Sequence, residues 1–547
     1  MIKNIFLPFM VIVWVLIGGS LSAKDSYQRD PNVDIIHYCF RVQLNDSTDR
    51  IEGSADITFS LAKTTQELRL DLAGLNDKGA GMVVERVEAG GQTLLWHHEN
   101  KRLGIEIPDT LSAPGIHSIT VTYSGIPADG LVISKNKYGD RTFFADNWPD
   151  RARNWIPCVD HPSDKATVEF IVTAPGRYTI VSNGIPAAVY PVNKGTNQRN
   201  LVSSWKEEVP VPTKVMVFGA ADFAWETAGY SKGIPVQSWV YAQDRLPGFL
   251  DYRPAVEIVT FYQDLIGPYS YKKLANVQSK TMFGGMENSG CIFYYEKSVT
   301  GKNNLQGLLA HEIAHQWFGD AVTEGDWHHI WLSEGFATYL EACYADSMLA
   351  GRNLSDNMAE MRKSVIRYHE KTHKPVIDTT IVNNMELLSA NSYQKGAWVL
   401  HMLRQELGDE LFWSGIRAFY ATYRDRNAMS SDLQSVMEQV SGRKLDNFFR
   451  QWLEIPGQPV IQWSWTYDEK KKWVEIDIEQ MQDQYDFEFD LTLGFSGMQT
   501  ESGPGNPKST LAKVHVGNKK EHFTLPVDFR VTEIKLDPGT GLLFQEF

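Results

Sequence analysis

Residues 308–318 read Leu-Leu-Ala-His-Glu-Ile-Ala-His-Gln-Trp-Phe, with His311, Glu312 and His315 at the centre. Apolar residues recur through this stretch at helical spacing, so a helix is expected over 308–318. Residues four apart on an α-helix differ by about 400° in azimuth, so both imidazoles face nearly the same way and can share one ion. Neutral imidazole suits Zn²⁺, and two histidines, one glutamate and an open position make a catalytic zinc geometry. Glu312 lies about 100° round the helix from His311, placed to take a proton from a zinc-bound water without ligating. A third ligand is offered by Glu334, 19 residues beyond His315, in Trp331-Leu332-Ser333-Glu334-Gly335-Phe336-Ala337. This segment opens a second helix that can return against the first. Glu341, two turns further on, can accept a hydrogen bond from a ligand imidazole. Upstream, Phe283-Gly284-Gly285-Met286-Glu287-Asn288 offers two glycines for close backbone approach and a carboxylate for an ammonium group.

Around this core the periodicity changes twice. From 34 to about 224 it is close to two, as in Leu68-Arg69-Leu70-Asp71-Leu72 and Ile119-Thr120-Val121-Thr122-Tyr123, which reads as a largely antiparallel β domain. Helical patterns follow at 308–318, 331–349, 358–368, 393–407 and 433–440, the last preceded by a Ser431…Gln434 capping box. After Ile455-Pro456-Gly457-Gln458-Pro459 strands return at 460–467, 473–478, 487–493 and 511–516, with a Gly/Pro-rich loop at 502–507. The expected fold is therefore α+β and multidomain: a β domain over 24–224, a catalytic domain over 225–453 and a β-sandwich over 454–547. A length of 547 residues with 43% hydrophobic content suits several cores. A net charge of −14 speaks against a broad electrostatic grip on nucleic acid or an anionic membrane.

Together HExxH, the glutamate 19 residues on, and Gly-Gly-Met-Glu-Asn resemble the aminopeptidase N family of zinc metallopeptidases. Ala152-Arg153-Asn154-Trp155-Ile156-Pro157-Cys158 is similar to a segment near the end of that family's saddle-shaped β domain, and 452–459 to the exit from its catalytic domain. The resemblance implies an N-terminal β saddle, a thermolysin-like zinc catalytic domain and a C-terminal β-sandwich. It implies one Zn²⁺ per chain on His311, His315 and Glu334, with Glu312 as general base. Glu287, with Gly284, Gly285, Met286 and Asn288, would bind the free α-amine of a peptide. Tyr393, in Ser392-Tyr393-Gln394-Lys395-Gly396, matches the family's Y-x-K-G tyrosine and would donate to the oxyanion. Family members often carry a second amine anchor in the β domain. Ungapped alignment puts Trp148 there, and Asp146 is the nearest upstream acid. Met385 stands where some members have an aspartate, so a preference for a basic first residue is not implied. The implied activity is hydrolysis of the N-terminal peptide bond. An epoxide hydrolase of the leukotriene-hydrolase type shares the zinc site, and a non-catalytic binding relative is the other alternative, though that class typically loses ligands that are all present here.

The chain opens with Lys3, an apolar run over 5–17 and a small-residue stretch ending at Ala23, the pattern of a cleaved secretory signal over 1–23. A secreted or periplasmic protein without a stable membrane span is expected, acting on peptides and not on nucleic acid. The sequence leaves oligomerisation open. His328 and His329 are expected to pack near the site, and His97, His98, His161, His369 and His515 to be surface or loop residues.

Overall fold

The computed structural model describes residues 25–192, 200–498 and 507–547. The expected signal segment and most of the loop at 502–507 lie outside these residues. In the first region an eight-stranded sheet runs in the order Ile185–Val192, Asn200–Pro212, Lys165–Pro175, Val33–Gln43, Ile51–Leu61, Gly115–Ile126, Gly81–Ala89 and Gln92–Thr93. Only the pairing of Val33–Gln43 with Lys165–Pro175 is parallel among them. Ile51–Leu61 shows why the strands form: Ile51, Ala55, Ile57, Phe59 and Leu61 alternate inward with polar neighbours outward. Against this sheet packs an aromatic core in which Phe170 meets Phe40, Trp155 and Phe218.

The second region begins with a sheet that takes Phe223–Ser231 as its first strand, followed in space by Ile234–Tyr241, Leu274–Ser279, Cys291–Tyr295 and the short edge strand Gly285–Met286. Its helices are α1 (Arg245–Tyr252), α2 (Ala255–Leu265), α3 (Gln306–His315), α4 (Trp331–Met348), α5 (Leu354–Thr372), α6 (Gly396–Leu407), α7 (Asp409–Tyr423), α8 (Ser430–Ser441) and α9 (Asp446–Phe449). Helix α4 is buried along most of its length, so apolar residues lie on all its sides and Ser333, Glu334 and Thr338 are buried with them. One turn with π-type bonding, Asn391–Lys395, precedes α6.

The expected capping box at Ser431 and Gln434 is not formed. Helix α8 starts two residues earlier, with Met429 at its N-cap, and the Asp432 carboxylate accepts from the Met429 N–H at 2.7 Å. An ionised carboxylate at that end is the better partner for an orphan amide. Gln434 instead donates to Glu438 and Asp446.

The third region packs two sheets face to face. One runs Lys520–Pro526, Trp473–Gln480, Val460–Asp468 and Gln545–Glu546; the other runs Pro507–Val516, Phe489–Met498 and Arg530–Leu536. Ile461, Ile476, Leu491, Leu493 and Phe495 fill the space between. No helix of the described residues is long and apolar enough to cross a membrane.

Candidate active site

His311 and His315 lie one turn apart on α3, and their Nε2 atoms stand 3.2 Å from each other. From the first turn of α4, Glu334 brings Oε2 to 3.6 Å from the His311 nitrogen and 3.3 Å from that of His315. A tetrahedral ion bound at about 2.0–2.1 Å needs its ligand atoms about 3.3 Å apart, and these three separations bracket that value. Glu334 Oε2 is buried and has no hydrogen-bond partner, an acceptor that a cation would satisfy. Burial alone would raise the Glu334 carboxyl, but the two imidazoles outweigh it and hold it well below the usual range. The donor set thus fits Zn²⁺.

Each imidazole is aimed from behind. His311 Nδ1 stands 3.3 Å from Glu341 Oε2, and His315 Nδ1 lies 3.2 Å from the Phe318 carbonyl and 3.0 Å from Ser333 Oγ. Ser333 escaped the sequence reading, because a serine beside a ligand carries no signal until the helices cross.

Glu312 shares the cleft but not the three-atom cluster. Burial pushes its carboxyl up to about 7, against the pull of His311 and His315. A divalent cation beside it would draw it back down, so it can cycle between base and acid near neutrality. Gly285 lies against this carboxylate: a Cβ there would meet Glu312 Oε1 at 2.2 Å. Gly284 has open space where a Cβ would stand. Only the second glycine is therefore required by packing.

Glu287 follows the edge strand, with Oε1 buried and unpartnered. Its carboxylate, Glu312 and the His315 ring offer atoms within 4.8 Å of one another. The loop is locked from three directions. Gln316 Nε2 donates to the Glu287 carbonyl at 2.7 Å, and the Gly290 N–H donates to Gln316 Oε1 at 2.7 Å. Asn183, from the first region, donates to the Ser289 carbonyl at 2.7 Å, and Lys273 Nζ donates to those of Gly290 and Ser182. Tyr393 completes the cleft. Its ring is parallel to that of His311 with centroids 6.0 Å apart. Burial, then the carboxylates of Glu334, Glu287 and Glu312, push the phenol well above its ordinary value, so it stays protonated and can donate.

The cleft measures about 260 Å³ and is lined by the metal-facing residues together with Trp148, Phe283, Met286, Leu308 and Leu388. Trp148 packs edge-to-face with Phe283 and Trp327, both at 5.8 Å. Two expected contacts are corrected. Asp146 is fully buried and does not line the cleft. One oxygen pairs with Arg151 at 2.8 Å, and the other accepts from the Met282 N–H and the Thr281 hydroxyl. With both oxygens committed, it holds the loop leading to Phe283. Asn288 is fully buried and does not line the cleft; its backbone carbonyl accepts from the Cys291 N–H at 2.9 Å.

The remaining histidines lie apart from the ligand cluster. His328 bonds Asp326 and the Ile381 carbonyl, and His329 bonds Ser430. His161, expected at the surface or in a loop, is buried against Asp25 at 2.7 Å, and His369 lies on α5 against Gly457. In both cases a distant segment covers the ring.

Residues 252–452 match the model of the peptidase family M1 domain, and residues 34–215 that of the peptidase M1 N-terminal domain. The chain is 30% identical over 346 residues to aminopeptidase M1-C of Oryza sativa subsp. japonica, covering 60% of this chain and 38% of that one. It is 27% identical over 394 residues to aminopeptidase N of Lactococcus lactis subsp. lactis, covering 66% and 45%. With glutamyl aminopeptidase of Rattus norvegicus the identity is 25% over 530 residues, covering 90% and 54%. The chain thus spans about half the length, or less, of these relatives. An M1 zinc metallopeptidase from Deinococcus radiodurans has the same fold, with a TM-score of 0.67 at 24% identity, covering 78% of this chain and 95% of that one.

Proposed function

This chain belongs to peptidase family M1, and from that membership we propose that it is a zinc-dependent aminopeptidase removing the first residue of peptides with a free α-amine. The observation that carries the reading is Glu287: a buried carboxylate with an unpartnered oxygen, in one cleft with a three-atom metal donor set. An endopeptidase has no use for an ammonium acceptor at that position.

Held by His311, His315 and Glu334, Zn²⁺ would supply Lewis acidity to the scissile carbonyl and to a water. Glu287 binds the substrate ammonium and sets the register, so the first peptide bond reaches the donor cluster. Gly285 leaves room for the Glu312 carboxylate, which takes the proton from the attacking water and later delivers it to the leaving nitrogen. Tyr393 donates its phenol proton in a hydrogen bond to the oxygen that becomes negative. Trp148, Phe283, Met286, Leu308 and Leu388 give this exchange an apolar surround. By the same proposal the protein acts outside the cytoplasm after removal of 1–23, which amino-terminal sequencing of the exported protein tests.

The decisive experiment is cleavage of a panel of aminoacyl anilides by the purified protein, each beside its N-acetylated counterpart. Cleavage of free-amine substrates only, lost with a chelator and regained with zinc, is the expected result. Equal cleavage of acetylated substrates would remove Glu287 from its role and make the protein an endopeptidase.

A further inference from the structure

The turn that carries Tyr393 is fastened to a part of the molecule far from the cleft. Lys395 lies two residues beyond Tyr393, close to the opposite side of a helical turn. Its side chain is 1% exposed, and its ammonium donates to the Gly457 carbonyl at 2.7 Å and reaches that of Ile455 at 3.5 Å. Those carbonyls belong to the exit from the catalytic region, one step before the first sandwich strand Val460–Asp468. Burial pushes the Lys395 ammonium down to about 7, and the two carbonyls accept from its N–H groups whether it is charged or neutral. His369 is the titratable group from a neighbouring helix that feels its charge.

The same turn is held on its other sides. Asn391 Nδ2 donates to the carbonyls of Lys374 and Pro375, and Ser392 Oγ donates to that of Leu387. Gly396 touches Gly335 across the α4–α6 crossing so closely that a Cβ on either would come within 3.0 Å of the other's backbone. Because Gly335 follows Glu334, this crossing sets the tyrosine-bearing turn directly beside a metal ligand. The glycine contact fixes how near the turn lies; its rotation is held by the side-chain bonds of Asn391, Ser392 and Lys395, of which Lys395 alone reaches the exit to the sandwich.

We propose that Lys395 is a positioning residue for peptide-bond cleavage, its ammonium fixing the orientation of the Tyr393 phenol by tying its turn to the Ile455 and Gly457 carbonyls. This rests on the reading of Tyr393 as oxyanion donor. It also makes the junction with the C-terminal sandwich part of the apparatus that sets the cleavage rate.

The test is a double-mutant cycle on a cleaved aminoacyl anilide, with zinc content measured for each variant. Lys395→Met should lower kcat about 10- to 100-fold, since a displacement near 1 Å can cost that much, while KM stays within about threefold and zinc stays bound. In the Tyr393→Phe background the same change should add less than about threefold, because the group it positions has gone. Gly457→Ala moves the acceptor instead of the donor: Gly457 has φ of +86°, and a Cβ there would meet the His369 ring at 2.8 Å. It should reproduce the kcat loss and the non-additivity, and it serves if Lys395→Met does not fold. A wild-type kcat in Lys395→Met, or a loss that multiplies in full with Tyr393→Phe, overturns the proposal. If Tyr393→Phe itself retains wild-type kcat, the role of Tyr393 has failed, and the positioning role with it.

Discussion

His311 and His315 come from successive turns of one helix and Glu334 from the first turn of the next, whereas Tyr393 reaches the same cleft from a π-type turn tied to residues 374, 375, 387, 455 and 457. The two imidazoles need little beyond helix geometry to converge, a rise of about 1.5 Å and a rotation of about 100° per residue, and Glu334 joins them through one helix crossing. Tyr393 has no local rule behind it. A short motif can thus set two imidazoles side by side, while the placement of the Tyr393 phenol depends on contacts distributed over the domain.

The largest test of this contrast is Glu312→Gln. It should leave zinc bound and lower kcat by about 10⁴-fold, the upper range for a general acid–base group, measured with an anilide substrate and metal analysis. Loss of zinc in that variant would make Glu312 a ligand and break the division of roles on α3. Next comes Tyr393→Phe, which should cost about 10²- to 10³-fold in kcat with KM little changed, as for removal of one oxyanion donor. Parallel kinetics of both variants separate a group that makes the nucleophile from one that stabilises the product of its attack.

A smaller effect is expected from Glu287→Ala, since a hydrogen bond to a charged group contributes about 1.5–3 kcal/mol, or roughly 10- to 100-fold in kcat/KM. Its signature is selective: the ratio of free-amine to acetylated cleavage should fall toward unity, while the rate on acetylated substrate does not drop. The smallest effect concerns glycines that look alike in sequence. Gly335→Ala must push against the Gly396 backbone and should lower stability by about 1–3 kcal/mol, read as a fall in Tm. Gly284→Ala meets nothing within 4 Å and should stay within about 0.5 kcal/mol of wild type. Equal Tm shifts for the two would show that the α4–α6 crossing is not tight.

Asp146 and Lys395 mark where reading from sequence stops. Asp146 is the nearest acid to the aligned position, yet Arg151, five residues on, neutralises it and Met282 binds its second oxygen. Lys395 sits in plain view within the Tyr-x-Lys-Gly pattern, but its acceptors are carbonyls some 60 residues later, and carbonyls have no residue identity to recognise. Likewise α1, α2 and α7 escaped the periodicity reading, as did the strands Lys520–Pro526 and Arg530–Leu536. The two helices and the strands are short or partly exposed, so their apolar faces are narrow, and α7 follows α6 after the single residue Gly408.

Helix and strand periods, which act over a few residues, made the pair His311 and His315, the neighbouring Glu312 and the succession of β, mixed and β regions legible in the sequence; Glu334 was a candidate there too, but its approach needs the α3–α4 crossing. Folding of the domain put Ser333 behind His315, brought Gln316, Asn183 and Lys273 to the Glu287 loop and set Trp148 in the cleft wall. Those contacts join residues brought together by helix crossings and buried hydrogen bonds, whose partners the local chain does not encode.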